Sequence, residues 1–385
     1  MEIDMKKFIQ YLDTHKNTHI QTQEYWQLIH NINMNYQQQC IGPSIIPYYP
    51  TTYDKWQIDH EINIIPDISK PVDTIIETNV DTIDDLLKII KENPFDKDKT
   101  YNIDLQSLHK IHIELKEIHS MIGLSKLKQA VVDQLLYFIQ NLHIGGKECD
   151  FKHTVLAGPP GTGKTEIAKL MGTMYSKIGV LKNNIFKKVT RSDLIAGYLG
   201  QTALKTQKVI DSCLGGVLFI DEAYSLGDSS DSFSRECVDT LCEALSSHKG
   251  DLMVIIAGYE NELNESFFKM NTGLPSRFLW RFSMDAYSAK EMHDIFMKKV
   301  VDNDWTILDI PISWFEKRKD KFTHYGRDME ILFTYTKIAH GRRIYGKNAE
   351  NRKKISIEDL DKGYNTFLEN NGSKKGTSVI HSMYM

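Results

Sequence analysis

The chain has no surplus of charge of either sign. Lys+Arg 47 stand against Asp+Glu 51, a formal charge of −4 over 385 residues, so the balance calls for no polyanionic partner. Cysteine is sparse and lacks pattern: Cys40, Cys149, Cys213, Cys237 and Cys242 form no C-x-x-C pair. That argues against a zinc ribbon or a disulfide framework and predicts small buried thiols in a reducing compartment. Long apolar runs are missing too. The most apolar stretches, 217–220 and 252–257, have strand length, whereas a bilayer span needs about 20 residues. The first residues carry acids where a signal peptide carries bases, and no apolar core follows them. The expectation is a cytoplasmic protein with no membrane partner.

What is present is the profile of a folded protein, 41% hydrophobic and 25% charged, long enough for two or three domains. Residues 1–115 are expected to form an N-terminal region of unassigned function, rich in Ile, Asn, Gln, Tyr and His. Two helical patterns stand out in it. One puts Ile83, Leu86, Leu87 and Ile90 on a face behind Asp81 as cap; the other is the stripe Leu105, Leu108, Ile111, Leu115 and Ile118. His109, His112 and His119 share that second pattern, and a polar helix face explains them better than a metal site without a fourth ligand. Aromatics at Tyr48, Tyr49, Tyr53 and Trp56 fit either a small core or a partner-binding face.

From residue 122 the rhythm changes to strand–helix alternation. An amphipathic helix through Leu142 is expected to bury Leu127, Val131, Leu135 and Ile139. Strand candidates follow at 153–156, 184–189, 216–220, 252–257 and 281–284. Helical stretches separate the first four, an order that builds a parallel sheet covered on both faces. The reading is an α/β three-layer αβα domain over 116–286, then a small helical domain over 287–370 and a flexible tail over 371–385. Ser288-Ala-Lys-Glu291 is a capping box, and Ser356 is expected to cap the last helix.

The chemistry concentrates in Gly158-Pro159-Pro160-Gly161-Thr162-Gly163-Lys164-Thr165, after a strand and before a helix. This is G-x-x-x-x-G-K-[ST] in the context that gives it meaning. Glycines let backbone N–H groups approach phosphate oxygens, and the following helix turns its positive end to the same charge. Lys164 supplies a point charge for the β- and γ-phosphates, Thr165 a hydroxyl for Mg²⁺, and Glu166 follows in the first helical turn. The strand Val217-Leu-Phe-Ile220 ends in Asp221-Glu222, at the sheet edge where ligands of open α/β sheets bind. Asp221 is expected to hold Mg²⁺ and Glu222 to act as general base on water. The cofactors expected are therefore ATP and Mg²⁺.

These two segments, with Gly197-Tyr-Leu-Gly-Gln-Thr-Ala203, Phe233-Ser-Arg-Glu-Cys-Val-Asp-Thr-Leu241, Ile256-Ala-Gly-Tyr259 and Gly273-Leu-Pro-Ser-Arg-Phe278, resemble the AAA+ ATPases, a branch of the P-loop NTPases. Within them they resemble the clade of red-type Rubisco activases and stage V sporulation protein K. The resemblance spans about residues 118–344, more loosely to about 368. It implies sheet order 5-1-4-3-2, a helical lid and a homo-hexameric ring with ATP between subunits. It further implies that Arg277 is an arginine finger, with Arg281 a weaker candidate, and Arg327 a sensor-2 arginine. Tyr198 would be a pore-loop aromatic gripping a protein client. The plain alternatives are a structural arginine capping a helix end at 277, a surface helix arginine at 327 and an aromatic packed under the sheet at 198. Sensor 1 is not legible in Ala257-Gly-Tyr-Glu-Asn261, and Trp280 is bulky for a place beside the finger. The function expected is ATP-driven remodelling or translocation of a protein through a ring pore. A nucleic-acid motor or loader is the alternative, though the basic clusters at 317–321 and 352–354 read as solvated helix surface.

Overall fold

The computed structural model describes residues 73–145, 148–198, 200–307, 310–347 and 351–373. Tyr48, Tyr49, Tyr53, Trp56 and the residues beyond 373 lie outside this set. Along the chain run α1 (Ile83–Glu92), α2 (Leu105–Lys110), α3 (His112–Ser120) and α4 (Ser125–Ile139). Then come β1 (Thr154–Ala157), α5 (Lys164–Lys177), β2 (Phe186–Val189), α6 (Arg191–Leu194) and α7 (Thr202–Asp211). After them follow β3 (Val217–Ile220), α8 (Ser232–Ser247), β4 (Met253–Gly258), α9 (Leu274–Arg277) and β5 (Trp280–Ser283). The last elements are α10 (Ala289–Asp302), α11 (Ile312–Glu316), α12 (Gly326–Ile344) and α13 (Ile357–Ser373).

The five strands pair in parallel in the order β2-β3-β4-β1-β5, which from the opposite edge is 5-1-4-3-2. Successive side chains of a strand point to opposite faces, so apolar runs are what a doubly covered sheet needs. Val155, Leu218, Ile220, Val254 and Ile256 enter one core with Ile210 of α7 and Val238, Leu241 and Leu245 of α8. Leu156, Val217, Phe219, Ile255 and Phe282 enter the other with Leu127, Val131 and Leu135 of α4 and Ile167 and Met171 of α5. Trp280 fills space in this second layer, its ring 5.5 Å from Tyr137 and 5.8 Å from Phe138. Cys213, Cys237 and Cys242 are buried free thiols, and Cys149 is half-buried; Cys40 lies outside the described residues.

Several boundaries move. The cap of α1 is Thr82, whose hydroxyl and Asp85 form a capping box, and Asp81 only donates its N–H to Asp85. A threonine hydroxyl one residue closer satisfies the helix's orphan amide directly. The stripe from Leu105 to Ile118 is buried throughout, but it belongs to two helices broken at Ile111. Leu115, on the expected domain border, lies inside α3 and is buried in the same core as α5. His109 bonds the Asn93 carbonyl at 2.8 Å and His119 approaches Asp84 at 3.5 Å. Among the described residues no group of three or more His, Cys, Asp and Glu side chains is gathered as a metal site.

Beyond Tyr287 the described residues are mostly helical, and Thr306–Ile307 pairs in parallel with Lys354–Ile355. Ser288 and Glu291 form their capping box. α13 runs on to Ser373, past residue 371 where a tail was expected. Among the described residues no helix is long and apolar enough to cross a membrane.

Candidate functional site

Parallel pairing delivers every strand's carboxyl end to one edge, and the candidate site is built there. Ala157 lies opposite Gly258 on one side and Ser283 on the other. The Gly158 N–H then donates to Gly258 O at 3.0 Å, tying the loop's first residue to β4. Pro159 and Pro160 are half-buried and Thr162 is buried. The Thr162 hydroxyl donates to Pro159 O at 2.8 Å, and its own carbonyl accepts from Tyr287 Oη at 3.1 Å. Gly163 is the N-cap of α5, so the helix opens directly under the loop with Lys164, Thr165 and Glu166 in its first turn. Glu166 is exposed.

Gly161 (φ 75°) shows why the loop requires glycine: a Cβ there would fall 1.9 Å from His324 O. The neighbour is the start of α12. Gly326 donates its N–H to Gly161 O at 3.1 Å, and a Cβ on Gly326 would sit 2.7 Å from the same oxygen. Two glycines therefore permit backbone-to-backbone contact between the loop and the C-terminal helices. Arg327 follows, exposed, in the first turn of α12.

Lys164 folds over the loop, its ammonium donating to Gly158 O at 2.8 Å and Pro159 O at 2.7 Å. Burial pushes its pKa down, Asp221 opposes this, and Arg327 adds to the lowering. Asp221 is fixed by its N–H to Val189 O at 2.9 Å, which carries the β2–β3 ladder one step beyond β3. Glu222 has φ 52° and ψ 44°, left-handed for a residue with a Cβ. That costs on the order of 1 kcal/mol and is a form of strain that gathers at functional sites. It leaves the carboxylate exposed at the sheet edge while Ala223 and Leu226 behind it are buried.

Thr165 Oγ1 and Asp221 Oδ2, the two expected metal ligands, converge on one cationic atom of the chain. Lys188 Nζ lies 3.5 Å from the first and 2.6 Å from the second. Hard oxygen donors gathered around a single positive charge are the donor chemistry of Mg²⁺, so the residues present fit that ion.

Arg277 lies elsewhere. Its Nε donates to Ser246 Oγ at 2.8 Å and its Nη1 to Gly273 O at 2.7 Å, both outside the phosphate loop. Arg281 lies 4.4 Å over the Phe268 ring. Tyr198 is 75% exposed in the turn between α6 and α7 and is not packed under the sheet.

A family model described as "ATPase family associated with various cellular activities (AAA)" matches residues 154–279. A putative cfxQ-like protein, R730 of Acanthamoeba polyphaga mimivirus, is 36% identical over 337 residues, covering 85% of this chain and 82% of that protein. The chain belongs to the AAA ATPase family. It is accordingly an ATP hydrolase. The ESX-1 secretion system protein EccA1 of Mycolicibacterium smegmatis is 43% identical over 162 residues, 41% of this chain. The ESX-3 secretion system protein EccA3 of Mycobacterium tuberculosis is 37% identical over 206 residues, 51% of this chain. The matches cover only 28% and 32% of those two relatives.

Sequence reasoning missed several residues that the structure places beside this candidate site. Lys188 is one. Arg191 is another: it donates to Ser225 O at 2.8 Å and pairs with Asp231, tying the end of β2 to the segment behind Glu222. Tyr287 and Gly326 brace the loop from the C-terminal side. None lies in a recognisable spacing. Their only advance signal was a place near a strand end or helix start, where side chains can turn towards a site. At the position left open for sensor 1, Tyr259 follows β4 directly, with its ring 6.1 Å from Tyr224.

Proposed function

We propose that this AAA ATPase is a Mg²⁺-dependent remodeller of protein clients, working as a cytoplasmic homo-hexameric ring that draws a polypeptide into its pore. Tyr198 carries the reading. It is a large aromatic exposed to solvent between Gly197 and Gly200, where a Cβ on either glycine would meet nothing within 4 Å. An aromatic ring on so open a turn grips apolar side chains without reading sequence. The near-neutral charge favours a protein client over nucleic acid. We also place the chain with the red-type Rubisco activase and stage V sporulation protein K clade, on the motif resemblance described above, and take 287–370 as its lid.

The roles follow from the placements. The amides of 161–165 and the positive end of α5 hold the phosphates, with Gly158, Pro159, Pro160 and Glu166 framing the loop. Lys164 exchanges its two carbonyl partners for phosphate oxygens, which are stronger, charge-assisted acceptors. Thr165 and Asp221 would hold Mg²⁺, which when bound neutralises charge on the transferring phosphoryl group. Glu222 accepts a proton from the attacking water. Arg327, whose helix touches Gly161 through Gly326, reports the state of the loop to the C-terminal helices. Arg277 serves the site of the adjacent subunit.

Tyr198→Ala tests the proposal. ATP turnover is expected to stay within about twofold of wild type, since no hydrogen bond ties this side chain to the loop, while ATP-driven unfolding of a tagged, fluorescent protein client disappears. Loss of both activities together would count against the pore role. Tight DNA or RNA binding that collapses as salt rises would favour the nucleic-acid motor instead.

A further inference from the structure

Lys188 has no part in the mechanism above, yet its ammonium sits between two of its central oxygens. The sheet register explains how it gets there. β2 and β3 pair in parallel with Lys188 opposite Phe219 and Val189 opposite Ile220, so Asp221 follows one step beyond. The Lys188 ammonium lies 5.8 Å from the centroid of the Phe219 ring. The same ammonium reaches Asp221 Oδ2 at 2.6 Å and Thr165 Oγ1 at 3.5 Å. The lysine side chain is 44% exposed, against 24% for Asp221. A pair whose lysine is this exposed is partly screened by solvent and only modestly favourable. It is weak enough to be displaced by a divalent ion and strong enough to be felt.

We infer that Lys188 is a built-in competitor of the metal. It neutralises Asp221 until a divalent cation takes its place, and so sets how much free Mg²⁺ the site requires. The inference rests on reading Thr165 and Asp221 as metal ligands. A divalent ion entering here must break the Lys188–Asp221 pair and then share the site with a nearby positive charge. Both effects raise the metal concentration needed for half-saturation. With metal withheld, the same ammonium remains a positive charge at the mouth of the phosphate loop and helps to hold nucleotide.

The test uses the full chain and a fluorescent ADP analogue, with Mg²⁺ titrated from excess chelator to millimolar free ion. Mn²⁺ binding to the ADP complex, followed by electron paramagnetic resonance, reads the metal directly. Lys188→Met is expected to lower the half-saturating metal concentration roughly three- to tenfold and to weaken ADP binding in chelator. Lys188→Arg keeps the charge and should stay near wild type. Lys188→Gln repeats the comparison with a polar side chain if the Met variant fails to fold on this edge strand. A half-saturation that is unchanged or raised in folded Met and Gln variants overturns the inference while leaving the metal ligands standing. ADP binding indifferent to metal in the wild type would instead remove Thr165 and Asp221 as ligands, and the inference with them.

Discussion

Glu222 shows at the scale of one residue how backbone and chemistry are joined. Its left-handed conformation is set by a neighbourhood that buries Ala223 and Leu226 and leaves its own side chain free. Gln in its place would meet the same backbone strain and much the same volume, so folding stability should change little. What Gln lacks is the ability to take a proton from water. Glu222→Gln is therefore expected to cut ATP turnover by about 10²–10⁴ while nucleotide binding and melting temperature hold. Steady-state ATPase beside equilibrium binding of a fluorescent nucleotide checks this, and equal turnover in both forms would refute the base assignment. The pair Asp221-Glu222 was legible in advance because two acids ending an apolar strand are a local pattern. Lys188 and Arg191 were not, since a basic residue at a strand end has no meaning until its neighbour across the sheet is known.

Between elements, the join of α12 to α13 turns on one carboxylate. Asp359 is fully buried and accepts from Arg343 Nε and Nη2, each at 2.8 Å, and from the Ser356 N–H at 3.0 Å. His340 Nδ1 lies 3.1 Å away, and Trp305 packs edge-on against its ring. Burial alone would raise the Asp359 pKa, but these partners outweigh it and hold the group at about 2, below the ordinary 3.8. A folded pKa lower than the unfolded one means stability present above about pH 3.8 and lost as pH falls towards 2. The loss amounts to roughly 2 kcal/mol. Asp359→Asn should lack that acid-sensitive component and, at neutral pH, be destabilised by about 3–5 kcal/mol because Arg343 loses its partner. Denaturant titrations from pH 5 to 2 measure it: the gap between wild type and variant should narrow with acid, and a constant gap would disprove the assignment. Ser356 as a cap was readable from spacing; the clasp formed by Asp359, Arg343 and His340 joins two helices and was not.

For the whole molecule, the proposed ring bears on what completes the candidate site. Arg277 bonds Ser246 and Gly273, away from its own phosphate loop, so a catalytic role requires a second copy. Ring assemblies built from one repeated head-to-tail interface supply such a residue to every site. Arg277→Ala and Lys164→Ala should each lose ATPase activity by on the order of 10³ when assayed alone. Mixed together they should regain part of it, because a Lys164→Ala subunit can lend its finger to an intact loop on an Arg277→Ala neighbour. No recovery on mixing, with both variants folded, would leave Arg277 a local brace for the end of α8.

The phosphate loop, the acid pair, the apolar strands and the capping box at Ser288 were determined by the sequence alone. Each rests on residues a few positions apart, and on backbone geometry that only particular side chains permit. Tertiary structure decided the rest: Lys188 between Thr165 and Asp221, Gly326 against Gly161, Trp280 filling the layer under α4, and the division of the Leu105–Ile118 stripe into two helices. Those contacts depend on the register between strands and on how helices settle over them. That register is set by the shape of a shared core, to which distant segments contribute together and which no local spacing records.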